Sequence, residues 1–429
     1  MNKGLAKSRW WRLIPVIFIT YSLAYLDRAN YSFGAASGLE HDLKITAATS
    51  SLLGSLFFLG YFFFQVPSAN FAEKRSAKKL VFWALIVWGM LATATGLVSN
   101  VPTLMVIRFS LGIVEAAVMP AMLVFISHWF TKAERSKANT FLILGNPVTV
   151  MWMSVVSGYL VQNFGWRMMF ISEGLPAIIW AILWWFLICD HPNQAKWLSK
   201  QEKANLQSAL EEEQKGIKEV KDYKTAFKSK TVILLCAQYF LWSLGLYGFV
   251  MWLPKIIEGA SDMGMVATGW LAAVPYIFAA TAMILVSFFS DKKQDRAVFV
   301  WPFLLIGAIA FIGSFIFANH FWISYSMLVI AGAAMYAPYG PFFAIIPEIL
   351  PRNVAGGAMA LINSMGALGS FVGSYLTGLI ASITGSFTSS YLLLAGALII
   401  GAILTIIAVK AGNSFLNKKP VQNAALKKA

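Results

Sequence analysis

Four full charges stand in stretches whose other residues are largely apolar. Asp27 and Arg28 are neighbours in a run that begins at Leu13, and Arg108 and Glu115 lie seven residues apart in a second run. A helix turns about 700° over seven residues, so Arg108 and Glu115 share a face, with Gly112 between them. A charge at mid-helix in a bilayer costs roughly 2.5–3.5 kcal/mol on insertion scales, so such groups face a protein interior or a wet cavity and have partners. The four together cost on the order of 10 kcal/mol. Buried ion pairs are poor evidence of stabilisation, so chemistry explains these charges better than support of the fold. Arginine stays charged and offers a planar fork that fits a carboxylate at two points. Arg28 and Arg108 are therefore candidate anion ligands. Carboxyl groups exchange protons, with burial and a nearby arginine pulling in opposite directions. Asp27 and Glu115 are the candidate proton sites, and the two acids and two arginines are expected to neutralise one another in the empty site.

The elements that carry these groups follow from composition. Of 429 residues 58% are hydrophobic and 12% charged, against about 25% charged in soluble domains. The apolar residues come in blocks of around 20, the length that crosses a hydrocarbon core of about 30 Å. The class predicted is an all-α membrane protein of twelve transmembrane helices in two six-helix bundles. The first six spans fall at about 13–34, 48–71, 79–98, 103–127, 140–162 and 168–189. The next six fall at about 230–254, 265–289, 297–317, 322–347, 355–383 and 388–410. This divides the chain into a bundle over 1–189, a linker over 190–229, and a bundle with a tail over 230–429. Ser199 and Glu202 have the capping-box spacing, which predicts a short amphipathic helix opening inside the linker.

With the N-terminus in the cytoplasm, 29 of the 34 lysines and arginines fall in inside segments. Three fall outside, and Arg28 and Arg108 lie within spans. The positive-inside rule then places both termini and the linker in the cytoplasm. It also accounts for the net charge of +15 without nucleic acid, because the basic residues are spread between spans. The apolar run after the basic N-terminus is too long for a cleaved signal and leads into Asp27 and Arg28, so it reads as the first span. Cys189 and Cys236 are the only cysteines and form no disulfide or metal framework. The halves repeat weakly: Glu73-Lys74-Arg75 follows the second span and Asp291-Lys292-Lys293 the eighth. Paired halves around a midplane site are a transporter device.

Neutral polar residues complete the expected pocket. Tyr21, Tyr25 and Arg28 form one stripe of the first span, and Tyr61 and Gln65 are four apart on the second. Asn146 precedes Pro147 in the fifth. Spans 7 to 12 hold no charged residue at depth but offer Gln238, Tyr247 and Asn363, donors and acceptors suited to a hydroxyl-rich ligand. Glu173, close to Arg167 near the outer end of the sixth span, reads as a structural contact. Gly366, Ser370, Ser374 and Gly378, with Gly369 and Gly373 beside them, read as a helix-packing face. No paired-histidine spacing, phosphate-binding glycine loop or Ser-His-Asp arrangement stands out, so neither a cofactor nor a metal is expected.

Twelve spans, a long central loop and the loop clusters together resemble the major facilitator superfamily over the whole chain. Within it the chain looks like the anion:cation symporter family. The matching residues are Tyr25-Leu-Asp-Arg-Ala-Asn30, Gly60-Tyr-Phe-Phe-Phe-Gln-Val-Pro67 and Arg108-x6-Glu115. His128-Trp-Phe-x4-Arg135, Gly165-Trp-Arg167 and Trp197-Leu-Ser199 complete the set. The resemblance implies a monomeric, non-enzymatic importer of a small organic anion with protons, in a bacterial inner membrane. A sugar acid (aldonate or hexuronate) is the first expectation; an aromatic or dicarboxylic acid is the alternative. It assigns similar roles to the acids and arginines named above, and the family often places a polar substrate contact at the position of Asn146. A drug exporter of the same fold would call for a Gly-x-x-x-Gly-Pro motif in span 5, where this chain reads Leu144-Gly-Asn-Pro-Val148.

Overall fold

Apolar blocks with no water to bond their backbones must satisfy each N–H and C=O internally, and helices do so within one segment. The computed structural model describes residues 7–214, 228–261, 263–293, 295–349 and 352–417, and the elements described there are helical. Residues 215–227 of the expected linker and 418–429 of the tail lie outside the described residues. In chain order the helices are α1 Ser8–Ala29, α2 Tyr31–Ala36, α3 Leu39–Asp42 and α4 Ala47–Lys74. There follow α5 Ala77–Thr95, α6 Val101–Glu115, α7 Val118–Trp129, α8 Lys132–Leu187 and α9 Lys200–Gln214. The remainder are α10 Lys230–Ser261, α11 Gly264–Lys293, α12 Trp301–Ile316, α13 Phe321–Tyr336, α14 Tyr339–Ile349, α15 Arg352–Thr384 and α16 Ser390–Asn417.

Ten stretches among the described residues are long and apolar enough to cross a bilayer. One of them, Lys137–Leu187, holds two spans, divided at Gly165, where φ is +79°. That backbone angle suits glycine, which has no Cβ to clash. Adding α1 gives the twelve expected spans. Two of those spans are interrupted: the fourth between α6 and α7, and the tenth between α13 and α14. Proline has no N–H to give the carbonyl four residues back, and Pro120 and Pro341 stand four residues beyond Ala116 and Ala337 in the two breaks. The breaks occupy equivalent spans of the two halves and follow Glu115 and Tyr336 respectively.

By its contacts the chain separates into two compact units. One takes the described residues of Met1–Lys218 with Val250–Ile277, the other those of Glu219–Phe249 with Phe278–Ala429. In the first, α4 and α6 meet at two glycines. A Cβ on Gly112 would overlap the Phe57 carbonyl, and one on Gly60 the Phe109 carbonyl. At Gly174 of α8 a Cβ would meet the Thr93 backbone nitrogen of α5 at 2.6 Å. In the second unit, Gly369 and Gly373 of α15 lie so near the Phe240 and Leu244 carbonyls of α10 that a side chain would overlap them. This is the packing face expected of that span. At the start of α9, Ser199 and Glu202 make the reciprocal capping bonds, Ser199 N to Glu202 Oε2 at 2.9 Å and Glu202 N to Ser199 Oγ at 3.2 Å.

Candidate functional site

The site is built on α1, where adjacent residues point about 100° apart. Arg28 turns toward α4 and α6. Its guanidinium lies 4.7 Å from the centre of the Tyr61 ring, 5.2 Å from Tyr25 and 5.3 Å from Phe57. Its Nη2 is 3.4 Å from Glu115 Oε2. Glu115 is wholly buried, and its Oε1 has no hydrogen-bond partner among the described residues. Arg108, 1% exposed, stacks 4.7 Å from the Tyr31 ring centre and 5.6 Å from Phe57. Its Nε gives a long 3.4 Å bond to the Leu53 carbonyl, and its Nη2 has no partner among the described residues. An aromatic face attracts a cation by about 2 kcal/mol when water is excluded, and it leaves the guanidinium edge open to an anion. Phe57, the ring shared by both arginines, sits where Gly112 brings α6 against α4.

Asp27 points the other way, and here the pairing differs from the expected four-charge neutralisation. It is 1% exposed and accepts from the Trp88 indole N–H of α5 and from Asn30 Nδ2 at 3.3 Å. Only one of the two acids, Glu115, forms an ion pair with an arginine of the set among the described residues. The reason is angular: Asn30 is three residues on and shares the Asp27 side, whereas Arg28 does not. Glu173 also departs from its expected place near Arg167. It is 4% exposed and accepts from Ser157 Oγ at 2.6 Å and from Asn30 Nδ2 at 3.0 Å. Arg167 instead lies 3.9 Å from Asp42 and over the Trp166 ring. Asp42 is exposed and held below its ordinary carboxylate range, chiefly by the Trp166 indole N–H.

Of the other expected pocket residues, Tyr25 and Tyr61 join Arg28 directly. Gln65 is buried one turn along α4 from Tyr61. Asn146 is buried on α8 beside Gly145, whose Cβ position faces the Tyr21 ring, and its Oδ1 lacks a partner among the described residues. Gln238, Tyr247 and Asn363 belong to the second unit. There Gln238 is fully buried with neither amide atom partnered among the described residues, Tyr247 is buried, and Asn363 is only half-buried. The same unit holds an aromatic cluster in which Trp242 packs 4.8 Å from Tyr339 and Tyr239 stacks 5.2 Å from Phe342. Among the described residues no three His, Cys, Asp or Glu side chains converge as a metal site requires. The sequence assigns no site role to Asn30, Tyr31, Phe57 or Trp88, although Asn30 closes the Tyr25–Asn30 motif. The signal for two of them is spacing: Asn30 follows Asp27 by three, and Phe57 precedes Tyr61 by four.

The family model described as Major Facilitator Superfamily matches residues 17–374 and 260–428. A protein of Agrobacterium vitis named "Putative tartrate transporter" is 31% identical over 93% of this chain and 90% of its own length. A quinolone resistance transporter of Acinetobacter baumannii is 30% identical over 95% of each chain. A hexuronate transporter of Bacillus subtilis is 24% identical over 92% of this chain and 94% of its own. Among solved structures, a D-xylose-proton symporter is similar with a TM-score of 0.74 and 14% identity, over 92% of this chain and 97% of that one. That likeness concerns the fold.

Proposed function

The chain belongs to the Major Facilitator Superfamily, whose members are multi-pass membrane transporters and not enzymes, and on that premise we propose that it is a proton-coupled importer of an organic anion. The cargo of this reading is a sugar acid, an aldonate or hexuronate, taken up as in the anion:cation symporter family. Its place is a bacterial inner membrane, with both termini and the linker in the cytoplasm and six-helix bundles at 1–189 and 230–429. Arg28 and Arg108 receive the carboxylate. Asp27 and Glu115 carry the proton. Tyr25, Tyr61, Gln65, Asn146, Gln238, Tyr247 and Asn363 are the candidate contacts for the rest of the cargo. Proton and substrate must each change the other's affinity for transport to be coupled.

One observation carries this reading. Arg108 is buried with an unpartnered guanidinium nitrogen and no carboxylate in salt-bridge reach among the described residues. A desolvated cation left in that state is costly, and an incoming carboxylate supplies the missing acceptors. The hexuronate and tartrate names of the relatives support an acid as cargo. The 30% identity to a quinolone resistance transporter supports the second reading, a proton-coupled drug exporter, and tartrate supports a dicarboxylate. Proteoliposomes with an inward proton gradient separate these. Gluconate or glucuronate should accumulate, and a collapsed gradient should stop it. Accumulation of tartrate or benzoate alone would move the assignment within organic acids. Proton-driven movement of a quinolone, with no acid transported, would overturn it.

A further inference from the structure

Among the described residues, Glu173 is the one buried acid of the first unit that the proposed transport reaction leaves without a task. Its surroundings are unusual for a structural carboxylate. Both oxygens accept hydrogen bonds, from Ser157 Oγ and Asn30 Nδ2, and both donors are neutral. The same Asn30 nitrogen contacts Asp27 Oδ1, so a single amide group stands between two buried carboxyls. The second oxygen of Asp27 is taken by the Trp88 indole.

The described residues of the neighbouring elements bring no cation to the pair. Next along α1 is Arg28, which pairs with Glu115 on α6. From α5 come Trp88 and, at Gly174, Thr93; the lysines of α5 are Lys78 and Lys79 in its first turn. On α8 itself Arg167 pairs with Asp42. Helix α2 carries no charged residue, and α7 ends on His128 and Trp129. The remaining buried charges among the described residues of this unit are Arg9, near the start of α1, and Arg108 and Glu115 of α6.

Two negative carboxylates at one amide, both buried and with no cation beside them among the described residues, would bear both a desolvation cost and mutual repulsion. A shared proton removes most of both. Asn30 suits such a pair because its amide can offer N–H to an ionised carboxyl or, turned over, C=O to a protonated one. Its Oδ1 is buried and has no partner among the described residues, so the second use is open. Groups coupled this closely give up protons in steps that belong to the pair.

We propose that Glu173 is a further proton-carrying residue, sharing a proton with Asp27 across the Asn30 amide. It extends the proton path from α1 to the second arm of α8. This assignment rests on the proton-coupled reading above, and its primary test needs no transported substrate. Infrared difference spectra of the purified full-length protein, taken over pH steps between about 6 and 9, report only carboxyls whose titration is displaced, since exposed ones stay ionised there. Glu173→Gln and Asp27→Asn should each remove a protonated-carboxyl band. Each should also move the midpoint of the remaining partner's band by about one pH unit or more. Wild-type protein with ¹³C-labelled glutamate side chains makes the same test without substitution: two buried glutamate bands should shift, from Glu115 and Glu173. Only one shifting glutamate band, or a Glu173→Gln spectrum identical to wild type, overturns the proposal. If the bands behave as expected while no organic acid accumulates in proteoliposomes, the proton pair stands and the cargo assignment falls. In the transport assay itself, Glu173→Gln should lose gradient-driven accumulation; accumulation at the wild-type level and pH profile overturns the role in coupling.

Discussion

On one side of α1 two arginines lie over the rings of Tyr25, Tyr31, Phe57 and Tyr61, with a single carboxylate, Glu115, between helices. On the other side two carboxyls, Asp27 and Glu173, meet neutral donors only. The helix separates them by the angle between consecutive residues. The difference suggests a division of labour: a cationic side completed by an anion and an acidic side completed by a proton. Asp27 and Arg28, joined by one peptide bond, connect the two.

The strongest way to break this comparison is to remove a titrating group while keeping its shape. Asp27→Asn and Glu115→Gln are each expected to abolish accumulation against a gradient. A symporter must move when fully loaded or empty but not with one ligand alone, so exchange of substrate across the membrane can survive loss of the proton step. One of the two amides should keep exchange. Asp27 touches no arginine, whereas Glu115 balances Arg28, so Asp27→Asn is the better candidate. Proteoliposomes assayed with an imposed gradient, and separately with substrate on both sides, measure both. Wild-type accumulation in both variants would mean that neither Asp27 nor Glu115 couples protons and that both are structural.

Next in size is the cationic side. Arg108→Lys keeps the charge but loses the fork, and it loses the flat face that stacks on Tyr31. A charge-assisted hydrogen bond contributes about 1.5–3 kcal/mol, so binding of the acid to purified protein should weaken by about 10- to 100-fold. Arg28→Lys should follow in the same direction. Unchanged affinity in both would move the anion site elsewhere.

Much of this frame is legible in the amino-acid sequence. Twelve apolar blocks, a one-sided distribution of lysine and arginine, and four intramembrane charges follow from hydrocarbon as solvent, which penalises every exception. Pairing is what the sequence hides. Periodicity tells which residues share a face of one helix but not which neighbour that face meets. Glu173 shows the limit: counted along its span it lies near an end, beside Arg167, and only the approach of α5 at Gly174 and of α1 at Asn30 makes it a buried partner of Asp27. Likewise Pro120 and Pro341 stand in plain view, yet the equivalent breaks they accompany emerge only when both halves are folded.

A smaller effect sharpens the acidic side. Trp88→Phe preserves most of the ring volume and removes the indole N–H that Asp27 accepts. An acceptor left without its donor in a buried site costs about 1–3 kcal/mol, more when it is ionised than when it holds a proton. Gradient-driven uptake should fall about three- to tenfold, and its pH profile should move. Substrate affinity at fixed pH should hold, because no arginine changes partner. A loss confined to affinity would contradict the separation of the two sides.

The smallest expected effect uses an ion pair on the same helix that has no place in transport. Near the start of α1, Arg9 reaches the Trp129 carbonyl at 2.6 Å and Glu134 at 2.6 Å, while Glu134 also accepts from the Thr131 backbone N–H at 3.1 Å in a capping box. Glu134 is half-buried, and although that burial pushes its pKa up, the Arg9 and Thr131 hydrogen bonds outweigh it and hold the carboxyl below its ordinary value of 4.5. A carboxyl depressed in the folded state contributes stability above its unfolded pKa and loses it as pH falls through the folded value. Glu134→Gln should therefore lower thermal stability near neutrality by about 0.5–1 kcal/mol, solvent screening keeping the figure small. The gap to wild type should close in acid, below about pH 4.5. Accumulation, exchange and their pH profiles should all match wild type. A shifted transport profile in this variant would mean that any ion pair on α1 tunes coupling, and the special standing of the Asp27 side would be lost.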